Sequence, residues 1–136
     1  MAHKKNRAGV IPYVIMNDEI HMMFMLPSDP AYGGSSFQIA KGVIEDEEDT
    51  LQGALREGYE ELGLLASNIL RVDLLPITLH TTTFYVSQVI DTIDFDIPHF
   101  ETGAVKWMTL EQFEDEGREI HRPIVKEAIS FIKTII

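Results

Sequence analysis

A chain of 136 residues with 45% apolar and 24% charged residues has the composition of one globular domain with a single substantial core, not of a disordered segment. Its net charge of −11 argues against broad electrostatic binding to nucleic acid or anionic membranes, but admits a small phosphorylated ligand if metal cations stand between the two. The absence of cysteine excludes disulfides, thiolate metal sites and cysteine nucleophiles, and fits a reducing cytoplasm.

The basic start MAHKKNR leads into a strand-like segment with no clear cleavage pattern, so it does not read as a signal peptide, and no apolar run reaches membrane-spanning length. Val10 to Met16 and Ile20 to Leu26 are strand-like around the polar turn Asn17-Asp18-Glu19. Both are apolar on both faces, which predicts a sheet covered on both sides, and Pro12 predicts an edge or a bulge. PSDPAYGGSS is a loop by its turn residues, and FQIAKG a short strand ending at Gly42. The acidic loop VIEDEED then leads into a helix over Thr50 to Leu62, with Asp49 as N-cap, Gln52 as its capping-box partner and Gly63 as the stop. Ile69 to Leu75 and Thr81 to Ile90 are expected to pair antiparallel, and AVKWM to form a short strand. Thr109 opens a short helix with Gln112 in its capping box, and a last helix starts near Pro123. Ile124, Val125, Ala128, Ile129, Ile132 and Ile136 form a stripe at helical spacing that faces the core. With no internal repeat or low-complexity tract, residues 1–136 read as one domain.

The first helix carries REGYEELG, three glutamates within five residues. With Arg56 at 0° and ~100° per residue, Glu60, Glu57 and Glu61 fall near ~40°, ~100° and ~140°. Leu51, Ala54, Leu55, Tyr59 and Leu62, with Gly58 among them, are then expected on an opposite, core-facing arc. Like-charged i,i+3 and i,i+4 pairs cost only about 0.2–0.5 kcal/mol each when exposed. At an effective dielectric near ~20 and ~6 Å separation the cost rises to roughly 3 kcal/mol per pair. The helix alone therefore leaves two readings open, a solvated acidic face and a site for a divalent metal.

The wider spacing decides between them. From Gly42 the sequence runs five residues to Glu48, seven more to Arg56-Glu57, two to Glu60-Glu61 and one to Gly63, followed by Leu64. This resembles the Nudix hydrolase signature GX5EX7REUXEEXGU, in which U is aliphatic. All seven fixed letters match, and at ordinary residue usage a chance match at a given start is on the order of 10⁻⁸. Gly58 departs from the pattern, standing where the family usually has an aliphatic residue. It weakens helix propensity by roughly 1 kcal/mol relative to Ala and predicts a gap or a close backbone approach behind the site.

The resemblance implies an α+β fold, an α-β-α sandwich with a mixed sheet packed between helices. It also implies hydrolysis of a nucleoside diphosphate linked to another moiety, with Mg2+ or Mn2+. Carried over by position, Glu57, Glu60 and Glu61 would be metal ligands, which agrees with the preference of Mg2+ for oxygen donors. Arg56 would orient the carboxylates, and Glu48 would be the supporting acid, while Glu45, Asp46, Glu47 and Asp49 are solvated loop charges. Gly42 would let the loop turn tightly and bring backbone to the metal. Lys41, in a segment reminiscent of the PKG of many relatives, is a substrate-phosphate candidate. Glu101, ahead of the tryptophan-bearing strand, is the candidate for a further catalytic acid. Phe37, Tyr32, Phe84 and Tyr85 are aromatics that either stack on a base or fill the core. The five histidines are scattered without an i,i+4 pair, against a histidine metal centre.

SFQIAKG faintly resembles the entry segment of dinucleoside polyphosphate and RNA 5′-end hydrolases, while the negative charge makes a small nucleotide a better substrate than long RNA. The expected substrates are a dinucleoside polyphosphate, a nucleoside triphosphate or a nucleotide sugar, handled by a monomer or a homodimer. The alternative of another class is a non-catalytic Nudix-like module that binds nucleotides or a protein. Such modules are expected to have lost some of the glutamates, and here every one is intact.

Overall fold

Strand β1 (Arg7–Met16) and strand β2 (Glu19–Pro27) form a tight hairpin through Asn17 and Asp18, which both take positive φ, 52° and 64°. Asn and Asp tolerate that left-handed region better than other residues with a Cβ, so a primed two-residue turn closes the pair. The computed structural model describes residues 6–32, 34–90 and 102–136. It adds β3 (Ala40–Val43), β4 (Ile69–Leu79), β5 (Thr82–Val89) and β6 (Thr102–Met108) to one six-stranded sheet. The order is β4-β5-β1-β2-β6, with β3 on β1. β1 and β5 run parallel and the other pairs antiparallel, so the sheet is mixed.

Pro12 lies neither at an edge nor in a bulge, contrary to the sequence expectation. On one side of β1, Arg7 to Val10 pair with β3 and Tyr13 to Met16 pair with β2. Pro12 falls in the gap where the neighbour changes, a place where an interior strand can lack an N–H without losing a ladder bond.

Alternation along β1 and β2 divides the core. Ile11, Tyr13, Met22 and Phe24 face one side, where they meet Phe113 of α2 (Leu110–Glu116) and Ile124, Val125, Ala128, Ile129 and Ile132 of α3 (Arg122–Ile135). Ala8, Val10 and Val14 face the other side, against Ala54 and Leu64. Met23, Met25 and Ala40 pack there on Leu62 of α1 (Thr50–Leu62). The result is a mixed sheet between helices, as the resemblance implied. Ile136 leaves the predicted stripe: it follows the last helical residue and stays exposed. Among the described residues no helix is long and apolar enough to cross a membrane.

The helix boundaries follow local chemistry. The Asp49 carboxylate accepts the Gln52 N–H at 2.8 Å, and the Gln52 side chain accepts the Asp49 N–H at 2.8 Å. Gly63, at φ 78°, ends α1 in the left-handed region where glycine is favoured. Thr109 and Gln112 repeat the capping box on α2.

Candidate active site

The acids of α1 do not face away from the core. The buried helix residues are Gly53, Ala54, Gly58 and Leu62, whereas Leu51 and Tyr59, expected inside, are exposed. At ~100° per residue, Glu57 and Glu61 fall between Gly53 and Ala54 on the helix circumference, within the buried arc. Small side chains on that arc permit the rotation. A Cβ on Gly58 would stand 2.7 Å from Val10 Cγ1, so α1 lies on β1 at a distance only glycine allows. This is the close backbone approach that the departure at Gly58 predicted.

Gly42 plays a similar part from the sheet side. It lies within β3, and its backbone is not left-handed, so the tight turn expected of it is absent. A Cβ there would overlap the Glu57 carboxylate, so the missing side chain makes the space into which Glu57 reaches.

Arg56 ties the acids together. Its Nε and Nη2 donate to the two Glu48 carboxylate oxygens at 2.8 and 3.1 Å, the bidentate fork that a guanidinium forms best. Nη2 also donates to the Val43 carbonyl at 2.9 Å, which joins the helix to β3. Nη1 donates to Glu57 at 2.9 Å and to Glu60 at 3.1 Å. Glu48 is itself fixed by the Glu45 N–H at 2.9 Å, and the Arg56 fork holds its carboxyl below the usual range. The Glu45 carboxylate, expected to be a plain loop charge, stands 3.6 Å from Nη1 at the exposed rim of this network.

Glu61 sits deeper. One of its carboxylate oxygens accepts the Lys41 backbone N–H at 3.1 Å. Burial, and then the neighbouring Glu57 carboxylate, push its carboxyl well above the ordinary carboxylate range. The Lys41 ammonium is drawn down by burial, then by Arg118 and Arg7, against the opposing pull of Glu61 and Glu57. The Thr102 hydroxyl donates to the Glu61 carbonyl at 2.8 Å and fastens the start of β6 to the last turn of α1.

Among the described residues no three acids converge on one cation position as they stand, because Glu57 and Glu60 face Arg56 while Glu61 faces a backbone N–H. The donor chemistry nevertheless suits a hard divalent ion. All the available ligands are carboxylate oxygens, and Glu57 and Glu61 lie beside each other with a like-charge conflict that a cation would relieve.

The other sequence candidates scatter. Glu101 and the Tyr32 side chain lie outside the described residues. Phe84 is core, Phe37 packs against that core, and Tyr85 packs against the Val10 and Val14 cluster. A cleft of about 690 Å³ opens over the loop between β3 and α1. Glu45, Asp46, Glu48 and Asp49 line it, so it borders the supporting acid, and among the described residues its lining holds no cation for a phosphate. Sequence reasoning passed over Arg118 and His121, which belong to no motif; the only signal was the basic character of GREIHR within an acidic chain.

A family model described as the NUDIX domain matches residues 5–128. No curated protein sequence matches the chain. Among solved structures, a binary complex of the C. elegans Ap4A hydrolase superposes with a TM-score of 0.77 at 17% identity, covering 96% of this chain and 99% of that one. The M. smegmatis Nudix hydrolase RenU gives 0.74 at 14% identity, over 97% and 89% of the two chains. The NUDIX domain of Shewanella oneidensis NrtR, complexed with ADP ribose, gives 0.73 at 10% identity, over 97% and 90%. At these identities the solved structures speak for the fold, while the family model, spanning most of the sequence, speaks for descent. The chain therefore belongs to the NUDIX domain family.

Proposed function

We propose that Glu57, Glu60 and Glu61 hold Mg2+ or Mn2+, and that the chain hydrolyses the diphosphate bond of a small nucleotide. The observation that carries this reading is the turning of Glu57 and Glu61 into the buried arc of α1, side by side under β3, where their charges repel without a cation. A bound divalent ion would neutralise the diphosphate and acidify a water molecule. The chain's own residues do the positioning. Arg56 fixes the carboxylates of Glu57 and Glu60, Glu48 fixes Arg56, and Gly42 leaves room for Glu57. Lys41 would hold a substrate phosphate beside the acids. Glu101 is proposed as a further acid, supported by the bond that ties its neighbour Thr102 to Glu61.

The likeness to an Ap4A hydrolase and to an ADP ribose complex supports a nucleotide carrying two or more linked phosphates, released from one side of the anhydride. A panel of nucleoside triphosphates, dinucleoside polyphosphates, nucleotide sugars and ADP-ribose, assayed with Mg2+, tests the reading. Turnover is expected on at least one class, falling roughly a hundredfold or more in Glu60→Gln and Glu61→Gln. Nucleotide binding without turnover on any diphosphate would instead make this a binding module.

A further inference from the structure

The two edges of the sheet are finished differently. β6 closes one edge with Lys106 in mid-strand, its ammonium bonded to both Glu116 carboxylate oxygens at 3.0 Å. A lysine on an edge strand guards against pairing with another strand. β4 closes the other edge without one: ILRVDLLPITL has no lysine, and Pro76 stands only in its second half. Among the described residues no strand pairs with the outer side of β4.

The open part of this edge is the run from Leu70 to Leu74. Its register against β5 is regular from Arg71, opposite Gln88, to Leu74, opposite Tyr85, with irregularities before and after. Side chains alternate along it. Leu74 shares the face of Tyr85, which packs with Val10 and Val14 on the α1 side, and Leu70 and Val72 follow by alternation. Arg71 and Asp73 take the other face and bond each other at 2.7 and 2.8 Å. Leu70 is 60% exposed and Leu74 56%. They do not stand singly, because a groove of about 260 Å³ walled by Leu55, Tyr59, Leu65 and Ile69 extends the apolar strip on the α1 side.

The run is symmetric about Val72: leucines lie at either end, and charges of opposite sign at equal distance from the centre. A strand added antiparallel to an edge keeps each face of the sheet continuous, so residues of the same face oppose each other. With a two-fold axis at Val72, Leu70 would oppose the second copy's Leu74, and Arg71 its Asp73, each contact occurring twice. Moving the axis one residue either way sets Arg71 against Arg71 or Asp73 against Asp73, which like-charge repulsion disfavours. The charges thus select both the register and the partner, since this run is its own complement. We infer that β4 is a self-association surface, where two copies of this chain pair antiparallel about Val72 and join their sheets edge to edge. Main-chain bonds and the apolar strip supply the affinity, and the charge pairs fix the register. The axis stands perpendicular to the sheet, so both α1 helices lie on one side of the assembly. The inference does not depend on the diphosphatase reading.

Sedimentation equilibrium of the intact protein over a wide range of concentration tests it. A reversible equilibrium between monomer and dimer is expected. Arg71→Asp and Asp73→Arg, each alone, should weaken the dimer about tenfold or more, because each sets like charges against one another across the axis. An equimolar mixture of the two variants should recover the dimer, since a doubly acidic edge then meets a doubly basic one. Leu74→Ser should weaken it without touching a charge. A parent protein that stays monomeric at every concentration overturns the inference, whether the edge then meets another protein's strand or only water. A dimer that neither charge variant weakens, or that the mixture fails to restore, overturns it as well by placing the contact elsewhere. Far-UV circular dichroism of each variant separates lost association from lost folding.

Discussion

Helices α1 and α3 cover opposite faces of one sheet by opposite means. α3 presents Ile124, Val125, Ile129 and Ile132, large side chains that fill the space over β1 and β2. α1 presents Gly53, Ala54 and Gly58, which fill little, with Leu62 as its one large buried side chain. What the small residues provide is proximity. They let α1 settle close to β1 and bring two ionisable side chains into its packed arc, next to β3. One helix secures the fold by volume, and the other gives up volume to place chemistry. The distinction predicts different consequences for the same kind of substitution on each.

The largest stability effect belongs to α3. Ile132→Ala removes a fully buried side chain from the main cluster and should cost about 2–5 kcal/mol in urea unfolding. Activity per folded molecule should be unchanged, since α3 packs on the face of the sheet opposite α1. An Ile132→Ala protein that keeps its stability but loses turnover would break the division between the two faces.

Gly58→Ala tests the proximity argument with a smaller effect. Alanine gains roughly 1 kcal/mol of helix propensity over glycine, which on an exposed helix would stabilise. Here the new methyl meets Val10 Cγ1, a stiff β-branched side chain, and overpacking of this sort costs about 1–3 kcal/mol. The expected outcome is a net loss of about 1 kcal/mol together with weaker activity, because α1 must lift from β1 and carry Glu57 and Glu61 with it. Val10→Ala should restore much of both in the double variant. A Gly58→Ala protein more stable than the parent would show that α1 is not held at contact distance.

The sequence made the helix legible and its rotation illegible. Asp49, Gln52 and Gly63 are local signals whose partners lie within four residues, and α1 runs over the very span they predicted. The box was legible because its spacing is one-dimensional. Which way the acids face was not, because that depends on Val10 and Gly42, residues distant in sequence whose contacts with the helix form only in the fold. Pro12 misled for the same reason: a change of neighbour along one strand leaves no local mark.

The subtlest consequence of turning the acids inward is a dependence of metal stabilisation on pH. Glu61 has its folded carboxyl raised above the ordinary 4.5 by burial and then by Glu57. A raised folded value means that the proton is held more tightly in the fold than in the unfolded chain. The stability it contributes is complete below about pH 4.5 and is lost as pH rises, when the unfolded chain ionises freely and the fold cannot. A divalent cation reverses the situation by favouring the ionised form, so its binding should release a proton and tighten as pH rises. The increase in Tm produced by Mg2+ is therefore expected to grow between about pH 6 and pH 8.5, by a few degrees for each ~1 kcal/mol of linkage. Calorimetry in buffers of differing ionisation enthalpy should register the released proton. Glu61→Gln, which has nothing to release, should flatten both trends while α3 and its cluster stay intact. A Mg2+ effect on Tm that is level across that range in the parent protein would mean that Glu61 meets the metal already ionised, and that the inward turn of α1 places the acid without holding its proton.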